Sequence, residues 1–445
     1  MRSGTLRHRL PGWIDPAGAY SLLFRDREDS FWLDSSDESG RSWMGAGVPL
    51  RPEADGGAGL LDAARAAIGG RAIAPSGRGA PLGLVGWFAY ELGEWTAPAP
   101  GRRIEAPGTS AGEWLVVDRL LEFDATSREV SLLAVGDSWA GDLDRWRSSL
   151  TERLSAARDA AAPPAPPAAW PLAARWRDTD GDYLAKVEAC KAAIARGDAY
   201  QLCLTTAAEV STREHPLDVY LRLRAGSPTH HGGLLRIGRT ALLSASPEQF
   251  LGVDGYGVVS TSPIKGTRPR GRTAGDDALL KSELAESDKE QAENLMIVDL
   301  MRNDLARVCE LGSVEVSRLL EVESYPQVHQ LVSTVRGRLA GGKTALDAVA
   351  ACFPAGSMTG APKRSAMSIL AELERAPRGV YSGVFGYLGF DGTADLAMVI
   401  RSVVMSGGVA TVGAGGGITA LSVPEQELAE VKLKAAAPLS ALGAT

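Results

Sequence analysis

Residues 179–206 read TDGDYLAKVEACKAAIARGDAYQLCLTT and predict a helix that is followed directly by a strand. Apolar side chains recur at helical spacing between Tyr183 and Ile194, and Gly197 marks the expected end of the helix. From Gln201 onward apolar and polar side chains alternate, which is the period of a β-strand. This helix and strand indicate that the chain combines both kinds of secondary structure in one fold.

The same two patterns recur on both sides of this unit. Further strands are predicted in ALLSASPEQFLGV (241–253), YGVVSTSPIKG (256–266), GVFGYLGF (383–390), ADLAMVIRSVVM (394–405) and VATVGAG (409–415). Further helices are predicted over 287–308, 361–374 and 422–442, and the N-terminal part mixes short alternating runs with the amphipathic stretch LLDAARAAIGG. We therefore expect an α+β fold, with mainly antiparallel sheet covered by helices.

One segment interrupts these patterns. Residues 156–171, AARDAAAPPAPPAAWP, consist almost entirely of Ala and Pro and offer no periodic apolar face. We predict an N-terminal region at 1–155, a linker at 156–171 and a C-terminal region at 172–445. Because a Pro-rich loop can also join two layers of one fold, the segment does not require two separate domains.

Composition excludes several classes of protein. The 445 residues carry a net charge of −7, and a pI near 5.5 argues against a nucleic-acid partner. The four cysteines lie far apart without a C-x-x-C pattern, which disfavours disulfide frameworks and zinc knuckles and favours a reducing cytoplasm. The N-terminus lacks a signal-peptide core, and no apolar run approaches the ~18 residues of a membrane span. A cytoplasmic enzyme without membrane contact is the expectation.

Two predicted helices carry carboxylate pairs. Glu290 and Glu293 project from one face of the helix at 287–308, and Glu427 and Glu430 share a face of the last helix. Each pair could be a solvated helix face. If the two helices meet, the four oxygen donors would suit a hard divalent cation such as Mg²⁺.

Three further residues are candidates for chemistry. Lys265 follows a predicted strand, and as a nucleophile it would have to be neutral, a form that only about 1 in 2,500 unperturbed lysines adopts at pH 7. Glu248 could be a general acid or an exposed carboxylate. Arg401 is predicted on the apolar strand face of Val399 and Val403, where it requires a carboxylate partner from the protein or from a substrate.

Two glycine-rich stretches could bind an anion through backbone N–H groups. VGAGGGI (412–418) includes Gly415, and FPAGSMTGAPK (353–363) includes Ser357; a simple turn is the alternative for each. Neither contains the G-K-[ST] ending of a phosphate loop, and the chain has no hydrolase signature.

The order of these pieces resembles the chorismate-binding enzymes over residues 180–440. The resemblance rests on GDAYQLCL, SASPEQF, PIKGTRPRG, KEQAENLMIVDLMRNDLARV, VHQLVSTVRG, FPAGSMTGAPKRSAM, YSGVFGY, IRSVV and GAGGGITALSVPEQELAEVKLK. WLDSS and GLVGWFAYELG look like the N-terminal region of the same family. The resemblance implies an anthranilate-synthase-like fold, in which antiparallel sheets pack as a sandwich flanked by helices around a central active-site cleft.

Two positions separate the branches of this family. Members that add water to chorismate carry a lysine base where this sequence has Gln201, and a glutamine cannot take a proton from water. Anthranilate synthases carry a small residue where this sequence has Lys265. The chain is therefore most similar to the aminodeoxychorismate synthase component I branch, with anthranilate synthase component I and a non-catalytic tryptophan-binding subunit as alternatives.

The resemblance implies a role for each candidate residue. Lys265 attacks C2 of chorismate, Glu248 protonates the departing C4 hydroxyl, and ammonia then adds at C4 and displaces the lysine, on the route to p-aminobenzoate and folate. Glu293 and Glu430 bind Mg²⁺ directly, and Glu290 and Glu427 act in its outer sphere or through water. The substrate is held by Tyr381, Arg401, Gly415, Ser357 and Lys434, with Gln201 beside it. Mg²⁺, Arg401 and Lys434 are expected to help keep Lys265 neutral.

The resemblance also implies partners. No glutamine amidotransferase region is visible in the sequence, so ammonia is expected from solution or from a separate amidotransferase subunit in a heterodimer. Related enzymes hold tryptophan in an N-terminal pocket, and DSFWLDSSDES (29–39) lies where that pocket is expected. One departure is Gln330, which stands where anthranilate synthases have a histidine; His329 is expected to point to the other side of its strand.

Overall fold

The computed structural model describes residues 4–36, 40–54, 56–74, 79–98, 110–155, 164–168, 171–325 and 328–444. The strands within these ranges are β1 Gly4–Leu10, β2 Ser30–Asp34, β3 Arg41–Ala46, β4 Val48–Pro49, β5 Gly83–Phe88, β6 Gly112–Val117, β7 Arg119–Asp124, β8 Glu129–Gly136, β9 Arg175–Trp176, β10 Gln201–Ser211, β11 His231–Ile237, β12 Thr240–Ser246, β13 Gln249–Val253, β14 Val258–Thr261, β15 Ile264–Pro269, β16 Glu315–Ser324, β17 Val328–Arg338, β18 Gly360–Ala361, β19 Val384–Gly389, β20 Ala394–Met398, β21 Ser402–Ser406 and β22 Val409–Ile418. The helices are α1 Pro16–Phe24, α2 Gly56–Gly69, α3 Gly93–Thr96, α4 Asp142–Ser155, α5 Asp180–Ala195, α6 Pro216–Gly226, α7 Ala274–Ala285, α8 Asp288–Ala306, α9 Ala345–Cys352, α10 Gly356–Thr359, α11 Lys363–Glu374 and α12 Pro424–Ala441, with a 3₁₀ turn at Tyr90–Leu92.

The strands form two large sheets in which neighbouring strands run antiparallel. The first sheet has the order β1-β8-β7-β3-β2-β11-β12-β21-β22-β10-β18, with β9 on the edge of β10. The second has the order β15-β17-β14-β13-β20-β19-β5-β6-β4, with β16 on β17. Both sheets combine strands from before and after the Ala/Pro segment, through the pairs β2·β11 and β5·β19.

The proposed division of the chain at 156–171 stays a prediction. Residues 156–163 and 169–170 of the proposed linker lie outside the described residues. In its described part, the carbonyls of Pro166 and Pro167 accept hydrogen bonds from Arg222 on α6, at 3.2 and 3.3 Å. This stretch of the linker therefore lies against the body of the fold.

The two sheets pack face to face around a shared apolar core. One buried cluster draws Phe31 and Leu235 from the first sheet and Val85, Trp87 and Phe385 from the second. Two further clusters lie between the outer faces of the sheets and the helices, with α5, α6, α11 and α12 on the first sheet and α2, α8 and α9 on the second. The α+β sandwich expected from the sequence is confirmed.

The predicted helix and strand over residues 179–206 are also confirmed. Thr179 and Asp182 form a capping box at the start of α5, because each side chain binds the other residue's backbone N–H. The strand β10 that follows is buried over its first six residues, so it lies inside the fold rather than at a solvated face.

Two segments predicted as single strands each pass from one sheet to the other. The segment 241–253 forms β12 in the first sheet and β13 in the second, with Glu248 at the passage. The segment 394–405 forms β20 in the second sheet and β21 in the first, with Arg401 at the passage. Arg401 has φ +52°, so the prediction that it shares a strand face with Val399 and Val403 is wrong.

The two passages lie side by side. The backbone N–H of Met398 donates to the carbonyl of Glu248 at 3.0 Å, and that of Ala245 donates to the carbonyl of Arg401 at 3.3 Å. The sandwich thereby brings the backbones of the two passages together at the point where the chain changes sheets. Among the described residues, the helices include none that is long and apolar enough to cross a membrane.

Candidate functional site

Lys265 lies at an irregular position near the edge of the second sheet. It is the second residue of β15, and the pairing of β15 with β17 shifts in register directly after it. Gly266 has φ +77°, a left-handed conformation that strains any other residue, and a Cβ atom there would lie 2.7 Å from Leu284 Cδ1 and 3.0 Å from the carboxyl carbon of Glu290. The Lys265 side chain is 14% exposed, and its Nζ lies 3.5 Å from Glu293 Oε2.

The charge of Lys265 is governed by this contact. Burial favours the neutral amine, but the negative charge of Glu293 opposes burial and raises the pKa of Lys265 above the ordinary lysine value. From the sequence, Mg²⁺, Arg401 and Lys434 were expected to help keep Lys265 neutral. The contacts of the described residues instead favour the ammonium form of Lys265.

Glu248 differs from the other glutamates of this region because it is buried without an ion partner among the described residues. Burial raises its pKa to about 7, although Lys265 and the side chain of Ser357 on α10 act in the opposite direction. A carboxyl group with this pKa is partly protonated at neutral pH, so it can donate a proton.

Gln201 and Lys265 approach the same glycine from different sheets. A Cβ atom at Gly417 of β22 would lie 2.2 Å from Gln201 Nε2 and 3.4 Å from Lys265 Nζ. Gln201 is 1% exposed, and its Oε1 has no hydrogen-bond partner in the part of the chain that the structure describes. The glycine run of β22 therefore leaves room for both side chains. The role of Gly417 was missed, although the run itself was visible in the sequence.

Arg401 and Tyr381 form a second part of the site. Arg401 is largely buried, which lowers its pKa, while the electrostatic influence of Tyr381 and Glu430 raises it. No carboxylate of the described residues lies within ion-pair distance of Arg401. Tyr381 is 8% exposed. An arginine in this state can accept an anionic ligand.

The last helix brings Lys434, Glu430 and Glu427 to the site. Lys434 Nζ donates to the carbonyl of Gly415 at 2.9 Å and lies 2.6 Å from Glu430. Glu427 accepts a hydrogen bond from Ser422 Oγ at 2.7 Å. The Ser422 hydroxyl therefore binds Glu427 and does not cap the helix, which begins with Pro424.

Each of the four predicted metal-binding glutamates has a cationic neighbour. The pairs are Glu290 with Arg268 at 3.8 Å, Glu293 with Lys265 at 3.5 Å, Glu427 with Lys289 at 3.8 Å and Glu430 with Lys434 at 2.6 Å. Arg268 and Lys289 were not identified from the sequence, although Lys289 stands directly before Glu290 and Arg268 follows Lys265 by three residues.

The four carboxylates also act on one another. Burial and then the charge of Glu293 raise the pKa of Glu290, and burial chiefly raises that of Glu427, with Glu430 adding to it. Burial alone would raise the pKa of Glu430 as well, but Lys434 outweighs it and lowers that pKa. Together with the Lys289–Glu427 pair, which joins α8 to α12, this shows that the carboxylates of the two helices converge on one region.

The donor set is chemically suited to Mg²⁺, because it consists of carboxylate oxygens from two rigid helices. As the side chains stand, however, no three His, Cys, Asp or Glu residues within the described ranges are arranged to hold one metal ion together. The protein's own cations neutralise these carboxylates instead. Magnesium binding by Glu293 and Glu430, assisted by Glu290 and Glu427, stays a prediction.

The histidine next to Gln330 is held away from these residues. His329 is 1% exposed, and its ring nitrogens lie 2.8 Å from Ser324 Oγ and 3.0 Å from Asp277 Oδ1. Both partners are outside the site, so His329 does not replace a histidine at position 330.

The segment 29–39, predicted to contribute to a tryptophan pocket, is described only in part. Its strand β2 is fully buried, and Asp34 accepts hydrogen bonds from Tyr220 at 3.0 Å and Arg224 at 2.7 Å. Residues 37–39 lie outside the described residues. Tryptophan binding therefore stays a prediction.

Comparison with known proteins adds to this geometry. Residues 23–440 match the family described as chorismate binding enzyme. An aminodeoxychorismate synthase of Streptomyces pristinaespiralis is 39% identical over 96% of this chain, and the chain spans 64% of the length of that relative. An anthranilate synthase component 1 of Mycolicibacterium smegmatis is 37% identical over 96% of this chain and 88% of its own length. The crystal structure of anthranilate synthase component I from Streptococcus pneumoniae superposes with a TM-score of 0.73 at 28% identity, over 96% of this chain and 97% of that one.

Proposed function

Because the chain belongs to the family of chorismate binding enzymes, we propose that it aminates chorismate to 4-amino-4-deoxychorismate, as an aminodeoxychorismate synthase component I. The observation that carries the proposal is Lys265, which shares the site with Gln201 across Gly417 and with the proton-holding Glu248. The identity to an aminodeoxychorismate synthase over almost the whole chain supports it.

Two side chains perform the proposed first step. The Lys265 amine forms a bond to C2 of chorismate, the ring electrons shift, and the C4–O bond breaks. The proton of Glu248 goes to the departing hydroxyl, which leaves as water, and a carboxyl group with a pKa of about 7 holds that proton in part of the molecules at neutral pH. Ammonia then bonds to C4, and the bond between Lys265 and C2 breaks.

The remaining residues bind and orient the substrate. Arg401 has no carboxylate partner in the described part of the chain, so it is available for the enolpyruvyl carboxylate together with Tyr381. Ser357, Gly415 and Lys434 complete the substrate pocket.

A bound Mg²⁺ would neutralise the ring carboxylate, held by Glu293 and Glu430 directly and by Glu290 and Glu427 in support. Lys265 has to lose its proton before it can attack, and its contact with Glu293 opposes that loss. If Glu293 were bound to Mg²⁺ and not to Lys265, the pKa of Lys265 would fall, and the neutral amine that attacks chorismate would be favoured.

The nitrogen donor is ammonia, supplied from solution or by a separate glutamine amidotransferase subunit in a heterodimer. The product belongs to the synthesis of p-aminobenzoate and folate. The source of the ammonia and the pathway of the product do not depend on the chemistry at Lys265. Each therefore requires its own test with purified components.

A product assay tests the proposal directly. The protein is incubated with chorismate, ammonium and Mg²⁺, and mass spectrometry should detect 4-amino-4-deoxychorismate as the main product. Anthranilate or isochorismate as the main product would refute the assignment.

The covalent step makes a separate prediction. Lys265→Ala removes the nucleophile and should leave at most slow direct addition of ammonia, a loss of about 100-fold or more in kcat. Lys432→Ala, an exposed lysine of the same charge on α12, is the control and should keep full activity. Unchanged turnover in Lys265→Ala would remove the nucleophile role.

Anthranilate synthase component I is the second candidate, and the 37% identical relative favours it because this chain spans 88% of that relative's length. That reaction eliminates pyruvate, whereas amination at C4 does not. A coupled assay for pyruvate therefore separates the two activities in one experiment.

A further inference from the structure

The strand that begins with Gln201 has a gap along one edge. β10 pairs with β18 only at Gln201 and Leu202, and with β9 only at Ala208 and Glu209. Among the described residues, no strand pairs with residues 203–207 on this edge, although most of these residues are buried. Buried backbone groups require hydrogen-bond partners, so other parts of the chain must fill the gap.

Arg177 fills one part of the gap, because its Nη2 donates to the carbonyl of Thr205 and its backbone N–H to the carbonyl of Ala207, each at 2.8 Å. A buried ion pair fills the other part. Arg378 Nη2 donates to the carbonyl of Cys203 at 2.8 Å, and Glu374 Oε1 accepts from both the backbone N–H and the hydroxyl of Thr205 at 2.9 Å. Arg378 and Glu374 are joined by two further hydrogen bonds, at 2.8 and 2.9 Å. Both side chains are almost fully buried, at 2% and 4% exposure.

Arg378 also reaches two other segments of the site. Its Nη1 donates to the carbonyl of Met358 at 2.6 Å and lies 3.4 Å from Ser382 Oγ. Met358 follows Ser357 in the chain, and Ser382 follows Tyr381. The guanidinium group thus binds the residues that follow Ser357 and Tyr381 in the chain. It also binds Cys203, which lies two residues after Gln201.

The N-terminal part of the chain supports Arg378 from the opposite side. The guanidinium carbon lies 4.3 Å from the centre of the Tyr90 ring, which is a cation–π contact. Glu91 Oε1 accepts from the backbone N–H groups of Arg378 and Gly379, at 2.8 and 3.2 Å. The arginine is therefore held in one orientation by contacts from both parts of the chain.

We propose that Arg378 is a positioning residue, which fixes the segments carrying Gln201, Ser357 and Tyr381 relative to one another and so sets the affinity for chorismate. This inference rests on the proposed function. A planar guanidinium can bond several acceptors in fixed directions, whereas the point charge of a lysine cannot. A lysine at position 378 would keep the positive charge but lose the planar guanidinium. The segments that carry Gln201, Ser357 and Tyr381 should then all become less firmly held.

Arg378→Lys tests the proposal through substrate affinity. We expect the calorimetric Kd and the KM for chorismate to rise by about 10- to 100-fold, with kcat changed much less, because displaced binding groups weaken capture of the substrate. Arg222→Lys is the matched control: Arg222 is 11% exposed, pairs with Glu214 and donates to the carbonyl of Ala441, none of which belongs to the site. The control should keep the affinity of the unaltered protein.

The outcomes of these experiments test the positioning role of Arg378 separately from the proposed function. An unchanged Kd for chorismate in a folded Arg378→Lys protein, or an equal change in Arg222→Lys, overturns the positioning role. An unaltered protein that binds chorismate but forms another product contradicts the proposed function alone. If Arg378→Lys does not fold, Tyr90→Leu removes the cation–π contact and leaves the hydrogen bonds of Glu91 to Arg378 and Gly379 in place. A rise of about 2- to 5-fold in Kd supports the role, and an unchanged Kd overturns it.

Discussion

The candidate site has two unlike sides. On the paired side, formed by α8 and α12, each of the glutamates 290, 293, 427 and 430 lies beside a lysine or an arginine. On the unpaired side, formed by the two passages between the sheets, Glu248 is buried and Arg401 is largely buried, and neither has an ion partner in the described part of the chain. The paired side is already neutralised, whereas the unpaired side carries the groups that are free to exchange a proton or bind an anion.

The largest expected effect is on the unpaired side. Glu248→Gln keeps the size of the side chain but removes its acidic proton, so kcat should fall by about 10²- to 10⁴-fold. The limb near pH 7 in the pH profile of kcat/KM should also disappear. Steady-state rates between pH 6 and 9 measure both quantities.

A buried carboxylate outside the site is the control for this variant. Glu122 is 3% exposed and is bound by Arg7 and Trp43. Glu122→Gln should retain kcat, and a Glu248→Gln enzyme within tenfold of the unaltered rate would contradict the acid role.

The same residue makes stability depend on pH. The pKa of Glu248 rises from 4.5 to about 7 on folding, so the folded state binds the proton more tightly than the unfolded chain. The resulting stabilisation is complete below pH 4.5 and is lost as pH rises through about 7. The free energy of unfolding of the unaltered protein, relative to Glu248→Gln, should fall by about 3 kcal/mol across this range. Urea unfolding at several pH values measures it, and a flat difference would contradict the burial argument.

Arg401→Met compares the two sides directly. Loss of a charge-assisted hydrogen bond, about 1.5 to 3 kcal/mol, should raise the KM for chorismate by roughly 10- to 100-fold. The free energy of unfolding should stay unchanged or rise, because an unpaired buried charge is removed. Lys434→Met on the paired side should instead lower it, since Glu430 loses its partner. The same stability change in both variants would remove the distinction between the sides.

The smallest expected effect concerns the metal. Glu427→Gln weakens one of the four carboxylates while Ser422 and Lys289 remain, so the Kd for Mg²⁺ should rise by about 10-fold. Calorimetry with Mg²⁺ alone measures this without relying on turnover. Glu425→Gln, an exposed glutamate on the same helix, is the control, and equal affinities in the two variants would contradict a metal role for Glu427.

Much of the fold and part of the site could be predicted from the sequence. The helix before Gly197 and the strand from Gln201 were predicted from local patterns alone, because helical spacing and strand alternation involve neighbours in the chain. The convergence of Glu290 and Glu427 was predicted only by resemblance. The two sheet passages were not predicted, because an apolar run looks the same whether or not it changes sheets.

The sequence by itself determined the helix faces that carry the carboxylates, the lysine near the start of β15 and the membership in the family. Tertiary structure alone decided which side chains surround the charged groups of the site. Lys265 lies beside Glu293, Glu248 lies near Ser357, and Arg401 has no carboxylate partner among the described residues. The physical reason is that charge state depends on burial and on neighbours within a few ångströms, and the sandwich brings those neighbours from segments far apart in the chain.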